Sequence, residues 1–235
     1  MGKRRLVLWD IDHTLISTGG VGRELSAIAF EQATGQPMEQ QAAIDGITER
    51  VIFRETARLH GLTTSPEDFA RFAAALTEAH LSHLTELRMY GHALPGSAAA
   101  LDAFAGLRGV VQTVVSGNVR AVAEIKLQTF GLDRHIVWEA GAYGDDYDER
   151  PELVRAALAR AGEYLGEPVS ADEALLIGDT PADVHAALMT GVQVLAVASG
   201  RSTEEDLRNA GATNVLRDLT DTSTLTTSLS PGLRR

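Results

Sequence analysis

Cysteine is absent from all 235 residues, which excludes a disulfide framework, a thiolate metal site and a cysteine nucleophile together. Positive charge is scarce. Lys and Arg number 21 against 32 Asp and Glu, giving a formal charge of −11, and no dense basic block is present that could track a phosphate backbone. Nucleic acid is therefore not an expected partner. No apolar run approaches the ~18 residues that span a bilayer, so no membrane association is expected either. The opening "MGKRRLVLWDID" begins basic and apolar in the manner of a secretory signal, but its run is short and meets two acids where the small residues of a cleavage site belong. These absences leave a cytoplasmic globular protein, monomer or homodimer, as the expectation. A hydrophobic content of 44% provides for a sizeable core.

What is present is an alternation of elements. Residues 5–11 (RLVLWDI) form a short apolar run without turn residues, as a strand buried on both faces does. Similar runs occur at 110–115, 174–178, 192–198 and, more weakly, 214–219. Helical spacing marks 119–130 and 151–165, and 202–209 opens with Ser202-x-x-Glu205, a capping box. Strands alternating with helices predict an α/β fold, a doubly wound, Rossmann-like parallel sheet. The interval 17–92 instead reads as helix after helix. One of these helices starts at Ser65-Pro66-Glu67-Asp68 and carries Phe69, Phe72, Leu76, Leu84 and Leu87 near one stripe. The sequence thus predicts a core of residues 1–16 and 93–235, with a small α-helical cap of residues 17–92 inserted after the first strand. The Ser/Thr-rich tail from residue 220 is expected to fray.

In open parallel sheets ligands sit beyond the carboxyl ends of the strands. Here those ends are polar: Asp10-Ile11-Asp12-His13-Thr14, Ser116-Gly117-Asn118, and Gly178-Asp179-Thr180-Pro181-Ala182-Asp183. Carboxylates gathered on one rim repel one another unless a cation intervenes, and a hard divalent ion such as Mg²⁺ suits oxygen ligands of this kind. Each cluster has a plainer use when taken alone. Asp12 can cap a turn, Thr180 to Asp183 is a sound capping box, and Ser-Gly-Asn is ordinary turn chemistry.

Taken together and in this order, the clusters resemble the haloacid dehalogenase-like hydrolase superfamily, and the helical insert resembles the small cap of its phosphoglycolate phosphatase-like members. The first motif of that superfamily, D-x-D-x-T, matches Asp10 to Thr14; the second matches Ser116 in "VVSGN"; the fourth matches "IGDTPAD". The resemblance implies a Mg²⁺-dependent phosphatase of a small phosphorylated metabolite that works through an aspartyl-phosphate. It implies Asp10 as nucleophile, Asp12 as general acid and base, and Thr14 as the residue that holds the turn. Ser116 and Gly117 would bind phosphate oxygens, with Asn118 beside them. The implied metal set is Asp10, Asp12 through its backbone carbonyl, Asp179 and, in support, Asp183. An acid at Asp12 favours phosphoryl transfer over dehalogenation. The third motif departs from the pattern, since a Lys is usual where "DERPELV" offers Arg150; Lys126 on the helix after the second motif is the competing choice.

His13 stands where Gly is more common and is a candidate for substrate contact at the cap. "GITERVIF" resembles a G-x-T-[DE] stretch of such caps, which makes Thr48, Glu49 and Arg50 candidates to face substrate, although Thr48 would also serve as a plain N-cap. His80 and His83 share a helix face without a third ligand, a weak metal signal. Gly19, Gly20 and Gly22 fit a hinge between core and cap. The alternatives are a phosphomutase of the same superfamily and a receiver-like signalling module phosphorylated on Asp. The module is disfavoured by the helical insert and the paired acids.

Overall fold

A computed structural model describes residues 4–229. The first strand, β1 (Arg5–Trp9), is flanked by β4 (Val110–Val114) and β5 (Ala174–Gly178). The sheet continues to β6 (Gln193–Val197) and β7 (Val215–Leu216), in the order β4-β1-β5-β6-β7, with every pairing parallel. Successive side chains of a strand face opposite sides. Val7 and Trp9 therefore enter one apolar layer, with Phe104 of helix α5 (Ser97–Ala105) and Leu127 of α6 (Arg120–Thr129). Leu6 and Leu8 enter the other, against Leu153 and Val154 of α7 (Arg150–Leu165) and Ala186 of α8 (Pro181–Thr190). This is the doubly wound α/β core expected from the alternation of runs.

Between β1 and α5 lies the helical insert. A two-residue ribbon of β2 (Ile16–Ser17) and β3 (His92–Ala93) joins its ends in antiparallel fashion. Four helices follow β2: α1 (Val21–Thr34), α2 (Glu49–Leu59), α3 (Pro66–Ser82) and α4 (Leu84–Tyr90). They share an aromatic centre in which the Phe53 and Phe72 rings stack at 4.6 Å. This cluster also takes Val119 and Val122 from the start of α6, so the insert packs on the core beside the second motif. The ends of the insert cross closely. A Cβ at Gly19 (φ 61°) would lie 2.1 Å from the Tyr90 carbonyl oxygen, so only glycine fits that crossing.

Several local expectations change. The stripe from Phe69 to Leu87 is broken at His83 into α3 and α4. The last capping box lies one residue later than expected: Thr203, not Ser202, accepts from Asp206 and opens α9 (Glu204–Asn209). The tail does not fray at once, because α10 (Thr222–Ser228) buries Leu225 against the core, whereas residues 230–235 lie outside the described residues. The boxes at Ser65 and Thr180 form as read. Among the described residues no helix is long and apolar enough to cross a membrane.

Candidate active site

The site begins where β1 ends. The Asp10 amide donates to the Ile177 carbonyl at 2.9 Å, so the sheet itself fixes the nucleophile candidate. The chain then folds into a tight loop in which the Leu15 and Ile16 amides both donate to the Ile11 carbonyl and His13 adopts φ 62°. That left-handed conformation costs a residue with a Cβ and explains why glycine is common at this place. Inside the loop the buried Thr14 Oγ1 lies 3.2 Å from Asp10 Oδ2 and 3.0 Å from Asp179 Oδ1.

Each aspartate of the pair has its own cation. Arg150, at the start of α7 and 6% exposed, donates from its Nη2 to Asp10 Oδ1 at 2.5 Å and from Nε to Asp183 Oδ1 at 2.7 Å. Lys126 Nζ donates to both Asp12 oxygens at 2.8 Å and to Asn118 Oδ1 at 2.7 Å. The Asn118 amide in turn donates to Asp12 Oδ2 at 2.7 Å and to Ser116 Oγ at 2.8 Å. Both candidates for the third-motif cation thus reach the pair: Arg150 contacts the Asp10 side and Lys126 the Asp12 side.

The charges are unbalanced. Asp10, Asp12, Asp179 and Asp183 set four formal negative charges against the two positive ones of Arg150 and Lys126. Burial, only partly offset by Arg150, pushes the Asp10 carboxyl up; burial together with Asp10 and Asp183 pushes Asp179 up. Asp12 goes the other way: burial opposes ionisation, but the charge and hydrogen bond of Lys126 outweigh it and hold Asp12 below the usual carboxylate range. One Thr14 hydroxyl proton cannot satisfy Asp10 and Asp179 at once, so one of them must be protonated or share a cation. Asp10, Asp179 and Asp183 each offer an oxygen within 4.8 Å of the others, all buried. This all-oxygen set carrying excess negative charge fits a hard divalent ion.

These groups line one cavity of about 140 Å³ at the junction of core and insert. Asp10, Asp12, His13, Ser116, Gly117, Asn118, Lys126, Arg150 and Asp179 reach it, whereas Thr14 and Asp183 support the lining from behind. Thr48 does not reach it. Although Thr48 precedes α2, its hydroxyl makes no cap and donates instead to the Asp148 carbonyl at 3.3 Å; Arg50 is likewise turned away, onto the Asp145 carbonyl. Of Thr48, Glu49 and Arg50 only Glu49 faces the cavity, its amide donating to the Gly117 carbonyl at 2.8 Å. Burial and nearby Asp12, partly offset by Lys126, push its carboxyl up to about 7. A Cβ at Gly117 would stand 2.4 Å from the Ile47 carbonyl oxygen, so glycine there lets insert and core meet.

His80 and His83 do not converge on a metal; each ring donates from Nδ1 to a carbonyl of its own helix, at 2.8 Å. His80 nevertheless lines the cavity, a placement its spacing from His83 did not suggest. The clasp between insert and core was also missed. Arg54 donates to Asp148 at 2.6 Å, and Arg201 stands 3.6 Å from Asp45. The acidic run "GDDYDE" opposite the basic positions of α2 was the available signal for the first of these contacts.

Comparison with known proteins agrees with this geometry. Residues 7–188 match the family model described as haloacid dehalogenase-like hydrolase. A phosphoglycolate phosphatase of Rhodospirillum rubrum is 28% identical over 221 residues, covering 91% of this chain and 87% of that protein. A hydrolase from Pseudomonas syringae has a similar structure (TM-score 0.66, 22% identity, 97% of this chain and 100% of that one). So does a Bacteroides vulgatus protein described as a candidate beta-phosphoglucomutase (TM-score 0.66, 20% identity, 97% and 90%).

Proposed function

The chain belongs to the haloacid dehalogenase-like hydrolases, and on that premise we propose that it is a Mg²⁺-dependent phosphatase of a small organic phosphate monoester, similar to the phosphoglycolate phosphatases. The observation that carries this reading is the unequal pair at the end of β1: two aspartates open to one cavity, one bound to a buried arginine and the other to a lysine. In our reading residues 17–92 are the cap that closes over a core of residues 1–16 and 93–235.

An Asp10 carboxylate oxygen attacks phosphorus; the ester P–O bond breaks, and its electron pair stays on the leaving oxygen, which takes a proton from Asp12 entering this step as the neutral acid and leaving it as the carboxylate. Water then attacks the phosphoryl group, gives its proton to Asp12, and the bond to Asp10 breaks, restoring the carboxylate. Arg150 aims Asp10 and holds Asp183, while Ser116 and the Gly117 amide offer donors to the phosphoryl oxygens and Asn118 beside them holds Ser116 and Asp12 in place. Asp10, the Asp12 carbonyl and Asp179 would hold Mg²⁺, with Asp183 in support; the ion would supply positive charge to the phosphoryl group and relieve repulsion among the acids. Two opposed carboxylates with separate partners suit two successive proton and phosphoryl transfers better than the single phosphorylated Asp of a receiver module.

A panel of phosphate monoesters assayed with Mg²⁺ or with chelator, beside Asp10→Asn, tests the reading. Metal-dependent turnover that Asp10→Asn abolishes is expected. Full activity in that variant, or activity indifferent to chelator, contradicts it. A sugar 1-phosphate incubated with its bisphosphate separates hydrolysis from mutase action by product.

A further inference from the structure

His80 is 2% exposed, on α3 of the insert, and its Nδ1 lies 2.8 Å from the Leu76 carbonyl. A carbonyl only accepts, so Nδ1 carries the proton and Nε2 is left as a lone pair. That Nε2 is buried and has no hydrogen-bond partner among the described residues. A buried acceptor without a donor is destabilising, and the nearby cation cannot relieve it, because Lys126 spends its protons on Asp12 and Asn118. Nor does the ring become charged: burial and the Lys126 charge hold it down to about 4. Glu49 lines the same cavity with a carboxyl that takes no hydrogen bond from the described residues. The cationic cavity residue of the insert, Arg23, is exposed on α1 and belongs to the rim.

The wall beside Lys126 thus offers acceptors and asks for donors. We propose that His80 Nε2, with the Glu49 carboxyl, forms a subsite that reads a free hydroxyl on the leaving group of a small phosphate monoester. Selectivity comes from the wall, where a carboxylate on the leaving group brings no proton to the His80 lone pair, whereas a hydroxyl donates its one proton to Nε2 and a second hydroxyl can serve Glu49. A site built to bond a hydroxyl rejects the analogue without one far more strongly than an apolar pocket does.

The proposal rests on the phosphatase reading, and the test separates the two. With Mg²⁺ present, kcat/KM is measured for glycerol 3-phosphate, propyl phosphate, phosphoglycolate and p-nitrophenyl phosphate. Wild-type protein is expected to prefer glycerol 3-phosphate over propyl phosphate by on the order of 100-fold or more, and over phosphoglycolate as well. His80→Leu should shrink the glycerol-to-propyl ratio to below about tenfold, and His80→Gln, which keeps an acceptor, should restore part of it. A structural role for His80 would lower both esters alike and leave the ratio unchanged. Turnover of p-nitrophenyl phosphate with a wild-type ratio near one, or a ratio unmoved in His80→Leu, overturns the subsite and leaves the phosphatase standing. Should His80→Leu not fold, the wild-type ratio and its reduction in Glu49→Leu, which removes the second acceptor, decide the matter. Turnover of none of the four esters overturns both readings.

Discussion

The two halves of the aspartate pair differ in burial, partner and direction of titration. Asp10 has a side chain 9% exposed and bonds an arginine that is itself 5% exposed and braced by Asp183, which is fully buried. Asp12, two residues later, has a side chain 36% exposed and is held by the single ammonium of a lysine that is itself buried. The first carboxyl is pushed up by burial, which Arg150 only partly offsets; the second is held down by the charge and hydrogen bond of Lys126, which outweigh its burial. The difference teaches a division of labour. A nucleophile must be aimed, which a planar fork fixed at two points accomplishes, whereas a proton carrier must exchange partners, which a single ammonium on a long stem permits. Arg in place of the usual Lys is then a structural choice: it reaches Asp10 and Asp183 at once.

Breaking the Asp10 half should have the largest effect on the fold. Arg150→Met strands Asp10 and Asp183 without their cation and is expected to cost about 3–5 kcal/mol in denaturant unfolding. Lys126→Met should cost clearly less, because the carboxylate it strands, Asp12, is more exposed than Asp10 and Asp183; equal losses would erase the distinction. Metal should sharpen the same half. Because the folded pKa values of Asp10 and Asp179 are raised, the native metal-free protein binds more protons than the unfolded chain, and its stability falls as pH rises from about 4 through neutrality. Saturating Mg²⁺ should flatten that slope and add about 2.7 kcal/mol at a hundredfold excess over Kd, read as Tm with and without chelator. A third, smaller effect belongs to the Asp12 half. Lys126→Met removes the charge that lowers Asp12, so the limb of the pH–rate profile set by Asp12 should move up in pH; a limb that stays in place separates Lys126 from proton transfer. His13→Gly should have the least effect, relieving the left-handed backbone for a gain of at most about 1 kcal/mol in stability.

Much of this was legible beforehand because it resides in strand ends. Apolar runs that stop at Asp10, Ser116 and Asp179 place those residues on one rim by topology alone, and helices after the runs bring Lys126 and Arg150 to them. What sequence left ambiguous was direction within a turn of helix. Thr48 and Glu49 are adjacent, and only the approach of α2 to the Gly117 carbonyl decides that Glu49 faces the cavity while Thr48 turns to Asp148. His80 was hidden for the same reason, since spacing along α3 pairs it with His83, but the packing of the insert on α6 sends the two rings to different surroundings. The break at His83 and the late cap at Thr203 are local choices between neighbouring residues of similar propensity.

The central claim, that Asp10 takes the phosphoryl group and Asp12 handles the protons, is tested most directly by pre-steady-state kinetics of Asp12→Asn with p-nitrophenyl phosphate, whose leaving group needs no acid. The account predicts a burst of a single equivalent of p-nitrophenol followed by slow turnover, and acid-quenched protein carrying one phosphoryl group on the tryptic peptide of residues 6–23, at Asp10. A reaction without a burst, or a phosphoryl group on any other residue, would contradict it.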